Sequence, residues 1–304
     1  MGKIAFVFPG QGAQYVGMGK ELYENNEIAR KEFDKIFESL DFDLKTVMFE
    51  GPEERLKETR YTQPAIVAFS LVLTKLLEEK GIKPDVVAGH SVGEYAAFGA
   101  ANYLSYDEDI KLTALRGQFM DEISKKVNGT MAAVIGLPSD KIIEVLKDID
   151  GVCEAVNFNE PKQTVIAGEE IAIDEACIKL KEAGARRAMK LKVAGPFHSS
   201  IMKEAGENLK ANLDKFDFKL TDIKLIANTT GEVLESVEDI KNEIYRQSFG
   251  PVKWVDTIHK MKELGVETIY EVGPGKVLAG LIRKIDKEFS VKNIEKLEDL
   301  DNLM

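Results

Sequence analysis

Cysteine, histidine and tryptophan are scarce in this 304-residue chain, at two, three and one copies. Cys153 and Cys177 make no metal-ligand spacing and no disulfide framework, so the chain reads as a reduced protein of the cytoplasm. No apolar run approaches the roughly 18 residues of a membrane span. The apolar start at residues 3–8 is too short for a secretory leader and lacks its small-residue cleavage site. Positive charge is in deficit: 41 Lys and Arg face 52 Asp and Glu, a net charge of −11. That balance argues against nucleic acid as a partner, because phosphate backbones are met by a basic footprint. A dinucleotide fingerprint is missing as well. Glycines stand at 10, 12, 17 and 19, but the third glycine of G-x-G-x-x-G falls on Tyr15. The remaining composition, 44% hydrophobic and 31% charged, is that of a globular protein with one large domain or two unequal ones.

The chain is organised around Gly89-His90-Ser91-Val92-Gly93. This G-x-S-x-G follows the apolar run Val86-Val87-Ala88 and leads into Glu94-Tyr95-Ala96-Ala97-Phe98-Gly99, rich in small residues. Between a buried strand and a helix it reads as a nucleophile elbow. The serine would sit on a strained turn, and a Cβ at either glycine would collide with neighbouring backbone. The helix behind it would aim free N–H groups at a developing oxyanion.

On either side of this turn, strands alternate with helices, which predicts a mostly parallel sheet. Strands are expected at 3–8, 223–227 and 268–272, with helices at 21–40, 65–79, 106–127, 237–247 and 252–264. The stretch 293–304 reads as a loose tail. At Asn128-Gly129 the rhythm changes. Strands at 131–136, 152–156, 164–167 and 187–193, with helices at 139–148 and 170–183, give the order β-α-β-β-α-β. That is the split βαβ, ferredoxin-like unit. Residues 129–195 are therefore expected to be a small domain inserted into a larger one made of 1–128 and 196–304.

A serine nucleophile needs a base, and there are three candidates. His90 abuts the serine and should point away from it, and His259 sits in an amphipathic helix. His198, in Gly195-Pro196-Phe197-His198-Ser199, stands in a loop between strand and helix, where catalytic groups collect. No isolated Asp or Glu marks a triad acid, so a neutral acceptor is expected to orient the base. Arg116 lies on the apolar stretch Leu112-Thr113-Ala114-Leu115; buried there, its guanidinium would need an anionic partner, such as a substrate carboxylate. An esterase or thioesterase shares the elbow, and a non-catalytic carrier-binding protein also remains open at this point.

Seven collinear motifs narrow the choice: Phe-Pro-Gly-Gln-Gly (8–12), Gly-His-Ser-Val-Gly-Glu (89–94), Arg-Gly-Gln-Phe-Met (116–120), Val-Asn-Phe-Asn (156–159), Gly-Pro-Phe-His-Ser (195–199), Pro-Val-Lys-Trp (251–254) and Glu-Val-Gly-Pro-Gly-Lys (271–276). With them the chain resembles the malonyl-CoA:acyl-carrier-protein transacylases of dissociated fatty acid synthesis. Val92, Gln118 and Pro196 depart from the commonest residues of that family without removing a chemical group. The resemblance implies an α/β-hydrolase-like core and malonyl transfer through a serine ester. It implies Ser91 as nucleophile, His198 as base, and Gln247 as the residue whose backbone carbonyl orients it. Gln11 and the N–H of Val92 would form the oxyanion hole. Arg116 would take the malonyl carboxylate, with Met120 and Phe197 beside the acyl group. No cofactor is implied beyond the phosphopantetheine of the partner, acyl carrier protein; the co-substrate is malonyl-CoA, and no membrane or nucleic acid is involved. The chain is expected to act as a monomer in the cytoplasm. Lys179, Lys181, Arg186, Arg187, Lys190 and Lys192 cluster at the end of the insert and are expected to meet the acidic carrier or the CoA phosphates.

Overall fold

The computed structural model describes residues 2–303. Its first layer is a five-stranded sheet built from β1 (Lys3–Phe8), β2 (Val86–Gly89), β7 (Lys224–Leu225), β8 (Val266–Val272) and β9 (Ser290–Ile294), in the order β7-β2-β1-β8-β9. All four pairings are parallel, with Ala5 opposite Val86 and Phe8 opposite Gly89 at the centre. Helices cover both faces, so the central strands are buried on both sides and read as continuous apolar runs. The mostly parallel sheet expected from the sequence is present, and every pairing in it is parallel.

The second layer is antiparallel and comprises β3 (Gly129–Ile135), β4 (Cys153–Glu160), β5 (Gln163–Glu169) and β6 (Arg187–Lys190), ordered β4-β5-β3-β6. Helices Ser139–Leu146 and Glu170–Glu182 pack on one face through Ile142, Ile173 and Leu180 against Ala132, Val134 and Ile166. The opposite face carries Met131, Val156, Val165 and Ala167, which pack with Met120, Phe197 and Met202 of the larger part. Edge strand β4 is stitched to the larger part by Val252, whose N–H donates to Val156 and whose carbonyl accepts from Phe158.

Four expectations need correction. The stretch 21–40 is two helices, Lys20–Asn25 and Glu27–Glu38, because the Asn26 side chain accepts from Ala29 N–H (3.0 Å) and starts the second. The buried helix at 65–79 begins earlier, at Thr59, with Pro64 inside it. Pro64 lies past the first turn, so it forgoes the one intrahelical bond its N–H would have made to the Arg60 carbonyl. Strand β4 extends to Glu160 past a bulge at Ala155/Asn157, while β6 ends at Lys190. Up to residue 303 the supposed tail is built into the fold: β9 pairs with β8, helix Leu297–Asp301 follows, and Ile294 and Leu300 are buried in the main core, while Met304 lies outside the described residues.

Candidate active site

Strand β2 ends at Gly89 and helix Gly93–Ala100 begins directly after Val92, so the chain reverses over His90-Ser91-Val92. Ser91 takes the left-handed conformation, φ 55°, costly for a residue with a Cβ. Both glycines are sterically required. A Cβ on Gly89 would lie 1.9 Å from the Gly93 carbonyl carbon, and one on Gly93 would lie 2.1 Å from the Phe8 oxygen. Asn228, just beyond β7, straps the turn shut. Its Oδ1 accepts from Ser91 N–H (2.8 Å) and its Nδ2 donates to the Gly89 carbonyl (2.6 Å).

His198, also left-handed at φ 66°, brings Nε2 to 2.7 Å from Ser91 Oγ. Its Nδ1 lies 2.8 Å from the carbonyl of Gln247 and 3.2 Å from that of Gly250. Carbonyls only accept, so the proton belongs on Nδ1, and Nε2 is left with a lone pair facing the serine hydroxyl. Gln247 ends helix Val237–Gln247, where carbonyls lack intrahelical partners. A helix end therefore stands where a triad acid would. Burial first, and the Arg116 charge second, pull His198 down to about 3, which keeps it a neutral base. His90 turns the other way, with Nε2 2.7 Å from Asn159 Oδ1 and its ring edge-on to Trp254. His259 is exposed on helix Trp254–Glu263.

Arg116, on helix Tyr106–Lys126, is fully buried. Its Nε and Nη2 donate to Gln247 Oε1 at 3.2 and 2.8 Å, and Nη2 lies 3.3 Å from Ser91 Oγ. The guanidinium sits 5.2 Å from the centre of the Tyr95 ring. Its Nη1, also buried, has no partner. A buried cation with a free donor beside a nucleophile is arranged to receive an anion. The cleft in front of Ser91 has a volume of about 770 Å³ and is lined by Gln11, Met120, Phe197, His198 and Lys192. Gln11 follows β1, with its Nε2 3.5 Å from Thr59 Oγ1, and Val92 opens helix Gly93–Ala100. None of the hydrogen bonds among the described residues engages the backbone N–H of either residue. Met120 and Phe197 are buried, and the Met120 sulfur accepts from Gln63 Nε2 at 3.7 Å.

The basic cluster is only partly free. Lys179 pairs with Glu175, and Lys190 with Glu170 and Asp174; Lys192 alone of the six lines the cleft. Sequence reasoning missed Asn228, Gln63 and Glu94. Asn228 carries no motif of its own, whereas Glu94 stood in the elbow motif without a role. Among the described residues no helix is long and apolar enough to cross a membrane, and no cluster of His, Cys, Asp or Glu is placed to hold a metal ion.

A serine elbow at the end of a parallel strand, with a four-stranded antiparallel layer set against it, defines the acyltransferase class. The acyl transferase domain family matches residues 5–298. Over 304 residues the chain is 40% identical to the malonyl CoA-acyl carrier protein transacylase of Bacillus subtilis, covering 99% of this chain and 96% of that one. It is 39% identical to the Staphylococcus aureus enzyme of the same name over 99% and 98%. The crystal structure of an acyl carrier protein S-malonyltransferase from Vibrio cholerae superposes with a TM-score of 0.95 at 38% identity, covering 99% and 100% of the two chains. The chain belongs to the malonyl CoA-acyl carrier protein transacylases, acyltransferases of fatty acid synthesis. A malonyl-transacylase solved in complex with its type II polyketide synthase acyl-carrier protein is similar as well, with a TM-score of 0.95 at 35% identity over 99% and 98%.

Proposed function

We propose that this chain carries the malonyl group from malonyl-CoA to the phosphopantetheine thiol of acyl carrier protein as an ester on Ser91. The neutral Nε2 of His198 takes the Ser91 proton while Oγ attacks the thioester carbonyl. The oxyanion forms toward the N–H groups of Gln11 and Val92, at the positive end of helix Gly93–Ala100. As the tetrahedral adduct collapses, the C–S bond breaks and CoA departs with the proton from the imidazolium. The carrier thiol then gives its proton to His198 and attacks the ester carbonyl, and as the C–O bond breaks the imidazolium returns that proton to Ser91 Oγ.

The observation that carries this reading is the fully buried Arg116 guanidinium, whose Nη2 lies 3.3 Å from Ser91 Oγ and whose Nη1 has no partner. A malonyl carboxylate supplies the counter-charge that the fold leaves out, which also fixes the carbonyl for attack. Phe197 and Met120 bound the acyl group. The reading takes the chain as a cytoplasmic monomer in which 129–195 is an insert between 1–128 and 196–304. The acidic carrier approaches over Lys192 and the exposed Lys181, Arg186 and Arg187, rather than over Lys179 or Lys190, whose charges are already paired.

Intact mass after brief exposure to equal malonyl-CoA and acetyl-CoA, without carrier, tests the reading. A stoichiometric malonyl adduct on Ser91, absent in Ser91→Ala, is expected. Rapid release of free CoA with no adduct would instead identify a thioesterase. Reversing the charges of Lys192 and Arg187 should raise KM for the carrier, and an unchanged KM would remove the docking role.

A further inference from the structure

We propose that Glu94 is a positioning residue for acid selectivity, setting which way the Gln247 amide faces and thereby holding Arg116 ready for the substrate carboxylate. The inference rests on the reading of Arg116 as the carboxylate clamp. Glu94 is fully buried on the first turn of helix Gly93–Ala100, although acidic residues there ordinarily face water. Its Oε2 accepts from Gln247 Nε2 at 2.8 Å, and its Oε1 accepts from the Asn228 N–H at 2.8 Å. Both groups it contacts grip the serine turn, since Gln247 Nε2 also donates to the Ser91 carbonyl at 2.6 Å and Asn228 straps Ser91 and Gly89.

The Gln247 amide is saturated. Its oxygen takes the two Arg116 donors, and its nitrogen feeds Ser91 and Glu94. Turned over, the amide would set N–H against guanidinium N–H and its oxygen against the Glu94 oxygen and the Ser91 carbonyl. The contacts to Arg116 and to the Ser91 carbonyl would then be between like groups. A carboxylate is the side chain that offers acceptors to Gln247 and Asn228 at once. Burial, then the carboxyl of Glu243, push Glu94 well above the ordinary carboxylate range. A carboxyl oxygen keeps an acceptor lone pair in either protonation state. Glutamine at position 94 has one acceptor for two donors. When it serves Asn228, its NH2 faces the Gln247 NH2, the amide turns over, and Arg116 loses its anchor.

The test compares kcat/KM for malonyl-CoA and acetyl-CoA in the full-length protein and in Glu94→Gln, Glu94→Asp and Arg116→Ala. Glu94→Gln conserves volume, yet it is expected to lower the malonyl-to-acetyl ratio by about tenfold or more. Glu94→Asp, shorter but still a carboxyl with an acceptor for each donor, is expected to stay within about threefold of the original ratio. Simple packing predicts the reverse order. A ratio unchanged in Glu94→Gln, or malonyl and acetyl transfer falling together in both variants, would overturn the proposal. Thermal melting checks both variants. Should the glutamine variant not fold, the aspartate variant decides: a ratio as low as that of Arg116→Ala counts against the role of Glu94. An Arg116→Ala enzyme that keeps its malonyl preference sinks the clamp reading itself and is thus told apart from failure of this inference.

Discussion

Ser91, Arg116, His198 and Gln247 all come from the parallel-sheet part of the chain, whereas the antiparallel insert contributes Met131, Leu191 and Lys192 to the same cleft. Parallel strands all end on one side, so the loops after β1, β2 and β7 converge and deliver Gln11, Ser91 and Asn228 to one point. An antiparallel sheet offers a face instead, with every second side chain on it. In this protein one such face closes over the serine and the other holds two helices. Groups that must meet within tenths of an ångström belong to the first arrangement, and shape and charge at the rim belong to the second.

The sharpest way to break this division is to remove the proposed nucleophile. Ser91→Ala should lower transfer by on the order of 10⁴-fold or more while leaving the melting temperature nearly unchanged, measured by carrier-malonylation rate and calorimetry. Next comes the clamp. Arg116→Ala should lower the malonyl-to-acetyl ratio by about 10²-fold, the loss of a charge-assisted bidentate contact, read from competing CoA esters. An unchanged ratio would mean that the carboxylate is held by the insert wall instead.

His198 makes a subtler prediction about pH. Its neutral form is the proposed base, and burial with Arg116 holds it at about 3, below the ordinary 6.5. Activity of the free enzyme should therefore show no acid limb centred near 6.5, checked by kcat/KM between roughly pH 5 and 8. Between 6.5 and 3 the unfolded chain binds this proton and the native chain does not. The contribution of His198 to stability should then fall by about 1.4 kcal/mol per pH unit as pH drops through that window, read as the difference in slope between the original protein and His198→Asn. The smallest effect belongs to the insert. Ile166→Val, in the core between its sheet and helices, should cost about 1 kcal/mol of stability and leave kcat and the malonyl-to-acetyl ratio alone. If that substitution moved the ratio, the insert would be more than a wall.

Much of the fold was legible because local patterns carried it. The β-α-β-β-α-β rhythm of the insert and the apolar parallel strands both follow from residue periodicity. Strand β9 was not legible, for Ser290-Val291-Lys292-Asn293-Ile294 is short and polar, and only pairing with β8 makes it a strand. The elbow could be read from Gly89, Ser91 and Gly93, since the steric need for those glycines is local. The lack of a triad acid could be read by elimination.

What the chain alone determined, then, are the features set by neighbours in sequence: the strained serine turn, the insert, and an arginine on an apolar stretch. Tertiary structure decided how distant groups share hydrogen bonds. Asn228 clasps Ser91 from 137 positions away, and the Gln247 amide joins Arg116 to Glu94. Such bonds depend on the relative placement of strand ends and helix ends, which no window of sequence encodes. The same is true of the pull on His198, since burial and the Arg116 charge act on it only once the two sheets have closed around it.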